Sequence, residues 1–323
     1  MISNLRISRF KSIKELALPC RRINIFIGEP NTGKSNILET IGLLSFLAYS
    51  SGYGARNFLR FERTSNLFYD ESLEYPLEIK CDALALTIEF KDGSFQGECR
   101  ENGSCIAELR GDHTDFSSGV ADIYKIAPFK FYRFGVKGVF PRQESNFLLP
   151  PSGDNLLSLL VANREVRSTA NLPFLSRGLR LGLRPQEGKI EVVKQWEDVI
   201  ISYPYSLTSE TLLRLTFHVA AILSNKNSVL VFEEPEAHSF PHYTQYLAEL
   251  IALDQNENQY FISTHNPYFL MPLLEKTPKD DLSVHIVYYK NYETRAKLLA
   301  EKDIQEMMEL DVFFNLERFL EQE

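Results

Sequence analysis

The sequence predicts an α/β fold, a parallel sheet flanked by helices and interrupted by a β-rich subdomain, and three observations predict it. The apolar run Ile23, Ile25, Phe26 and Ile27 leads into the glycine-bearing stretch GEPNTGKSN, and a helical pattern follows. From about residue 206, helix-like and strand-like segments alternate, as parallel strands require when each return crosses over through a helix. Between about 75 and 140 apolar and polar residues alternate with a period of two, the sign of half-buried strands.

Taken in order, residues 2–28 read as two or three short strands, ISNLRISRF, IKELAL and INIFIG. A helix starts near Gly33, because Ile37, Leu38, Ile41, Leu44 and Ala48 recur at helical spacing, and SSGYG ends it. Leu77, Ile79 and Cys81, then Leu84, Leu86, Ile88 and Phe90, alternate as strands with KDG as a turn, and YKIAPFKFYRF continues the β-rich subdomain. LLPPSGDN breaks the pattern. Helix-like segments follow at 154–163 and 171–180, and KIEVVKQWEDVIISY reads as a hairpin. SETLLRLTFHVAAIL (helix), SVLVF (strand), HYTQYLAELIAL (helix) and QYFIST (strand) form the alternating part. The expected organisation over 1–323 is therefore a single head with a nucleotide-binding core at 1–50 and 206–290. A β-rich subdomain fills 51–150, a helical and hairpin insertion 151–205, and a C-terminal helical segment 291–323.

Composition narrows the function classes. Apolar residues make up 44% and charged residues 24% of 323 positions, enough for a sizeable core. The net charge of -8 argues against a broadly basic nucleic-acid surface. The clusters Arg177, Arg180, Arg184 and Arg6, Arg9, Lys11, Lys14 read as solvated faces. Cys20, Cys81, Cys99 and Cys105 form no C-x-x-C pair, and with no signal peptide they are expected as reduced thiols in a cytoplasmic protein. No apolar run approaches the roughly 20 residues of a bilayer crossing.

Residues 28–35 satisfy G-x-x-x-x-G-K-[ST] between a strand and a helix, the context this phosphate-binding pattern needs. Gly28 and Gly33 permit backbone geometry closed to larger residues, so successive amides of the loop Glu29, Pro30, Asn31, Thr32, proline apart, can surround phosphate oxygens. The helix that begins there adds its positive end. Lys34 would neutralise the β and γ phosphates, the Ser35 hydroxyl would ligate magnesium, and Asn36 completes the segment. A second acidic motif is needed for hydrolysis, and VLVFEEPEAHSFP supplies it. Residues 229–232 form a buried strand ending in Glu233, assigned to the metal, and Glu234, assigned to the attacking water. In FISTHNPYF, His265 ends another apolar strand, where it would reach the γ phosphate or the water. SNKNS is not the N-K-x-D base-reading motif of a small GTPase. Glu234, Glu236, His238 and His242 lie within nine residues, with His238 and His242 at the i, i+4 spacing of some zinc sites, but Pro241 interrupts any helix that would place both histidines on one face unless the helix starts there.

In this order the elements resemble ABC-type ATPase heads, in the branch with the SMC, RecF and OLD-family ATPases. NLRISRFKSIKELAL with INIFIGEPNTGKSNILETIGLLS resembles the N-terminal half of that branch. LVFEEPEAHSFP resembles its Walker B with Glu in the Asp position, FISTHNPYF its switch-histidine loop, and SGDNLLSLL a further shared segment. The resemblance implies a P-loop NTPase fold, ATP and magnesium as cofactors, ATP hydrolysis and an ATP-dependent homodimer. It also implies a signature helix that offers its N-terminus to the partner's γ phosphate. Here that helix start is Ser206, Thr208, Ser209 and Glu210, with Glu210 where the family carries glycine. By the same resemblance Lys11 and Ser12 lie near the adenine. No heptad insertion of the SMC kind is present, and the segment after His265 is too short for the toprim nuclease of OLD enzymes. The expectation is a switch for a separate effector, a nuclease or toxin, as in phage-defence ATPases of this branch. A RecF-like DNA-binding role in repair is the alternative.

Overall fold

The computed structural model describes residues 1–141, 143–309, 313 and 315–320. Three strands open the chain: β1 (Asn4–Phe10), β2 (Ile13–Pro19) and β3 (Ile23–Ile27). The helix α1 (Lys34–Tyr49) follows β3. β4 (Leu77–Cys81), β5 (Leu84–Lys91), β6 (Ser94–Glu101), β7 (Ser104–Gly111) and β8 (Phe116–Val120) then run as a meander. These five and the first two strands make one antiparallel sheet in the order β2-β1-β4-β5-β6-β7-β8.

A short helix α2 (Ile123–Ile126) leads to β9 (Phe129–Tyr132), and α3 (Leu156–Ala162) and α4 (Arg164–Leu175) precede a three-stranded sheet. That sheet is β10 (Arg180–Arg184), β11 (Lys189–Trp196) and β12 (Val199–Pro204). Then come α5 (Glu210–Ser224), β13 (Val229–Glu233), α6 (Pro241–Ala252), β14 (Gln259–Ser263) and α7 (Pro267–Lys276). β15 (Leu282–Lys290), β16 (Glu293–Leu298), α8 (Glu301–Glu309) and α9 (Leu316–Leu320) complete the described chain.

The third sheet has the order β16-β15-β3-β14-β13-β9, parallel throughout except for the β15–β16 hairpin. β3, β9, β13 and β14 are buried along nearly their whole length because both faces of the sheet are covered there. Ile23, Ile25, Ile27, Leu230, Phe232, Tyr260 and Ile262 point into the core under α3 to α7. Phe26, Val229, Val231 and Phe261 point the other way, onto α1 and the antiparallel sheet. α1 therefore lies between two sheets, and its apolar residues at 37, 38, 41, 43, 44, 46 and 47 are buried. Each such side chain contributes roughly 1.5–3 kcal/mol of burial. This double packing holds the loop between β3 and α1 rigidly at the carboxyl edge of the sheet.

The structure differs from the sequence expectation in four places. FKFY, expected in the β-rich subdomain, is β9 and pairs in parallel with β13, so it belongs to the phosphate-loop sheet. The first two strands, expected in the nucleotide-binding core, belong to the antiparallel sheet. The helix expected at 171–180 lies earlier, because Asn163 caps α4 by accepting from the Val166 amide at 3.1 Å. The residues that follow alternate as β10 instead. The C-terminal segment from 291 begins with a strand, β16, before its helices. Among the described residues no helix is long and apolar enough to cross a membrane.

Candidate active site

At the carboxyl edge of the parallel sheet the phosphate loop opens into a cleft of about 1300 Å³. Residues 28–36 line it together with Ser12, Arg60, Glu233, Glu234 and His265. Two contacts fix the loop. A Cβ at Gly28 would stand 2.1 Å from the Val287 carbonyl oxygen, and one at Gly33, where φ is +101°, 2.1 Å from Thr294 Oγ1. Both positions admit only glycine. Thr294, on β16, donates to the Thr32 carbonyl at 2.9 Å and pairs with Ser12 Oγ at 2.7 Å, while Asn36 Nδ2 donates to the same Ser12 oxygen at 2.7 Å. Thr32 Oγ1 bonds the Glu29 carbonyl at 2.9 Å across Pro30 and Asn31.

Lys34 folds back along this loop, donating to the carbonyls of Gly28 at 2.8 Å and Glu29 at 2.7 Å. Burial pushes its ammonium below the ordinary lysine range, against the opposing fields of Glu234, Glu233 and Glu29. A polyphosphate would offer that ammonium a charged partner in place of two carbonyls, which favours anion capture. Ser35, one position on, donates its hydroxyl to Glu233 Oε1 at the end of β13.

The parallel register pairs Glu233 with Ser263, so the ends of β13 and β14 are level. Glu234 turns out of the strand with φ +45° and donates its amide to the Ser263 carbonyl at 3.0 Å. His265 Nε2 consequently lies 2.8 Å from Glu234 Oε1. Three segments far apart in sequence thus place lysine, hydroxyl, two carboxylates and imidazole around one cleft. The Ser35 hydroxyl and Glu233 carboxylate, already in contact, are two hard oxygens of the kind magnesium takes alongside water and phosphate oxygens, so the residues fit that ion.

Other expected site residues lie elsewhere. Lys11 is held away from the cleft by an ion pair with Glu39 and by donating to the Arg60 carbonyl at 2.6 Å. Ser206, Thr208, Ser209 and Glu210 stand at the start of α5, outside the cleft lining of their own chain. Glu210 Oε1 accepts from Arg214 Nε at 2.8 Å, which offsets its negative charge.

Sequence reasoning gave three groups no role in this site. Arg60 bonds Glu233 and, through Nε at 2.9 Å, the buried Glu39, whose carboxylate also holds Lys11. Glu236 is 3% exposed and accepts from Thr264 Oγ1, joining the turn after β13 to the histidine loop. Leu316, Glu317 and Leu320 of α9 line the cleft from the C-terminal side. No local pattern marks any of them, because each acts through a non-local contact.

A family model described as AAA ATPase domain matches residues 176–270, which include β13, the acidic pair and His265. Among solved structures, an SMC head bound to the C-winged helix domain of ScpA superposes with a TM-score of 0.55 at 16% identity, over 94% of this chain and 99% of that one. The Smc head domain with an extended coiled coil from Pyrococcus furiosus, bound to the C-terminal domain of ScpA, gives 0.55 at 15% identity over 95% and 98%. No curated protein matches the sequence. The chain has the α/β P-loop fold of SMC heads.

Proposed function

We propose that this protein binds Mg-ATP, hydrolyses it, and uses the cycle to close and open a homodimer that switches a separate effector. The observation that carries the reading is the convergence of Lys34, Ser35, Glu233, Glu234 and His265 on one cleft. Loop amides and Lys34 bind the phosphates. Glu234 orients and polarises the attacking water, and His265, bonded to Glu234, holds that carboxylate in line and offers a donor to the terminal phosphate. Magnesium, held by Ser35 and Glu233, would neutralise charge on the β and γ oxygens. Catalysis on this reading is positioning and charge stabilisation. The effector, and a role in antiviral defence, rest on resemblance to phage-defence ATPases.

Two variants test the reading. Lys34→Ala removes the one cation inside the loop and should lower ATP affinity at least tenfold. Glu234→Gln keeps the shape of the site and should retain ATP binding while lowering turnover by about a hundredfold or more. Equilibrium binding and phosphate release measure both. Unchanged turnover in Glu234→Gln would remove its role, and unchanged affinity in Lys34→Ala would remove the phosphate-loop assignment.

A further inference from the structure

We propose that α9 builds the nucleoside end of the cleft, with Leu316, Leu320 and Glu317 holding base and ribose; this rests on the nucleotide-binding reading above. Sheet order orients the ligand. β14 and β13, which carry His265 and the two carboxylates, lie on one side of β3, and β15 lies on the other. With the phosphates held on the loop after β3 and the terminal phosphate directed to Glu234 and His265, the remainder of the nucleotide leaves towards β15.

There the wall changes character. The end of β15, residues 286–290, and the α9 residues Leu316 and Leu320 line the same cleft. Ile286, Val287, Leu316 and Leu320 with the rings of Tyr288 and Tyr289 give apolar area that suits a planar base, while Lys290 at the end of β15 is a cation on the same side. Glu317 adds a carboxylate on this side. It would repel a phosphate, yet it accepts hydrogen bonds from ribose hydroxyls or an exocyclic amino group. The cleft volume exceeds the roughly 300–1,000 Å³ of ordinary ligand sites, so a whole nucleotide fits along it.

Nor is α9 free of the body. Phe319 is 1% exposed in the core shared with α3 to α7, and Arg318 pairs with Glu306 on α8. Sequence far from the phosphate loop therefore completes the site. Any event that displaces α9 would weaken nucleoside binding without touching the phosphate loop.

The test compares Mg-ATP with inorganic tripolyphosphate by titration calorimetry on the full chain. Glu317→Ala, Leu316→Asp and Leu320→Asp should each weaken ATP roughly tenfold and leave tripolyphosphate unchanged. Unchanged ATP affinity in all three, or equal losses for both ligands, overturns the proposal. Hydrogen exchange guards against misfolded variants: in the unaltered protein, ATP should slow exchange at 316–320 and tripolyphosphate should not. Equal protection by the two ligands, or none, also overturns it. Lys34→Ala separates the two readings, since it should weaken both ligands; if the unaltered protein binds neither, the phosphate site itself is refuted.

Discussion

The carboxylate of Glu236, in the turn that follows β13, is buried, accepting a hydrogen bond from Thr264 on one oxygen and leaving the other without a hydrogen-bond partner. Burial pushes it up to about 7 from an ordinary 4.5, with the Thr264 bond opposing. Between those values the folded protein keeps a proton that the unfolded chain has released. Stability from this group is thus fully present below pH 4.5 and is lost as pH rises through about 7, a total of about 3 kcal/mol. Glu236→Gln carries no such proton and keeps an oxygen for Thr264. Thermal melts at pH 5 and pH 8 should therefore show a smaller decline in the variant than in the unaltered protein. Equal declines would place the pH sensitivity elsewhere.

At the scale of elements, the phosphate loop depends on β16 as much as on its own glycines. Gly33 at φ +101° has Thr294 Oγ1 where a Cβ would stand. Alanine there adds left-handed strain of roughly 1–2 kcal/mol and must push β16 or the loop aside. Gly33→Ala should lower the denaturant midpoint and lose phosphate binding, and adding Thr294→Ala should restore only part of the stability. A single variant with an unchanged midpoint would show that the loop relaxes freely. The same contact shows what the sequence could and could not display. GEPNTGKS and the strand ends at Glu233 and His265 were legible because their chemistry is local: glycines, a lysine and acids beside continuous apolar runs. Thr294, Arg60 and Glu39 were not, since nothing near them in sequence indicates the partner. The placement of β9 was hidden for a related reason. Alternation identifies a strand, but pairing decides its sheet, and FKFY reads the same beside β8 as beside β13.

In the whole molecule the expected residues at the start of α5 lie outside the cleft. The helix start at Ser206, Thr208, Ser209 and Glu210 does not line the cleft of its own chain, so on the proposed reading it would meet a γ phosphate only on a second copy. In the segments that follow Glu234 and His265, Phe240 is 68% exposed and Tyr268 61%. Apolar rings beside a polar site are surface that a dimer would cover. The Glu210–Arg214 pair would leave no uncompensated carboxylate if that helix start met a phosphate. On the proposed reading ATP would shift a monomer–dimer balance only through contacts made in a closed state, and blocking hydrolysis should hold that state. Light scattering of Glu234→Gln should show twice the monomer mass with Mg-ATP and the monomer mass with ADP. Adding Ser209→Arg, which places a bulky side chain at the helix start, should restore the monomer while ATP still binds each chain. If Glu234→Gln stays monomeric at saturating ATP, the trans-acting helix is wrong even though the single-chain site stands. If Ser209→Arg leaves the dimer intact, the chains meet through another face.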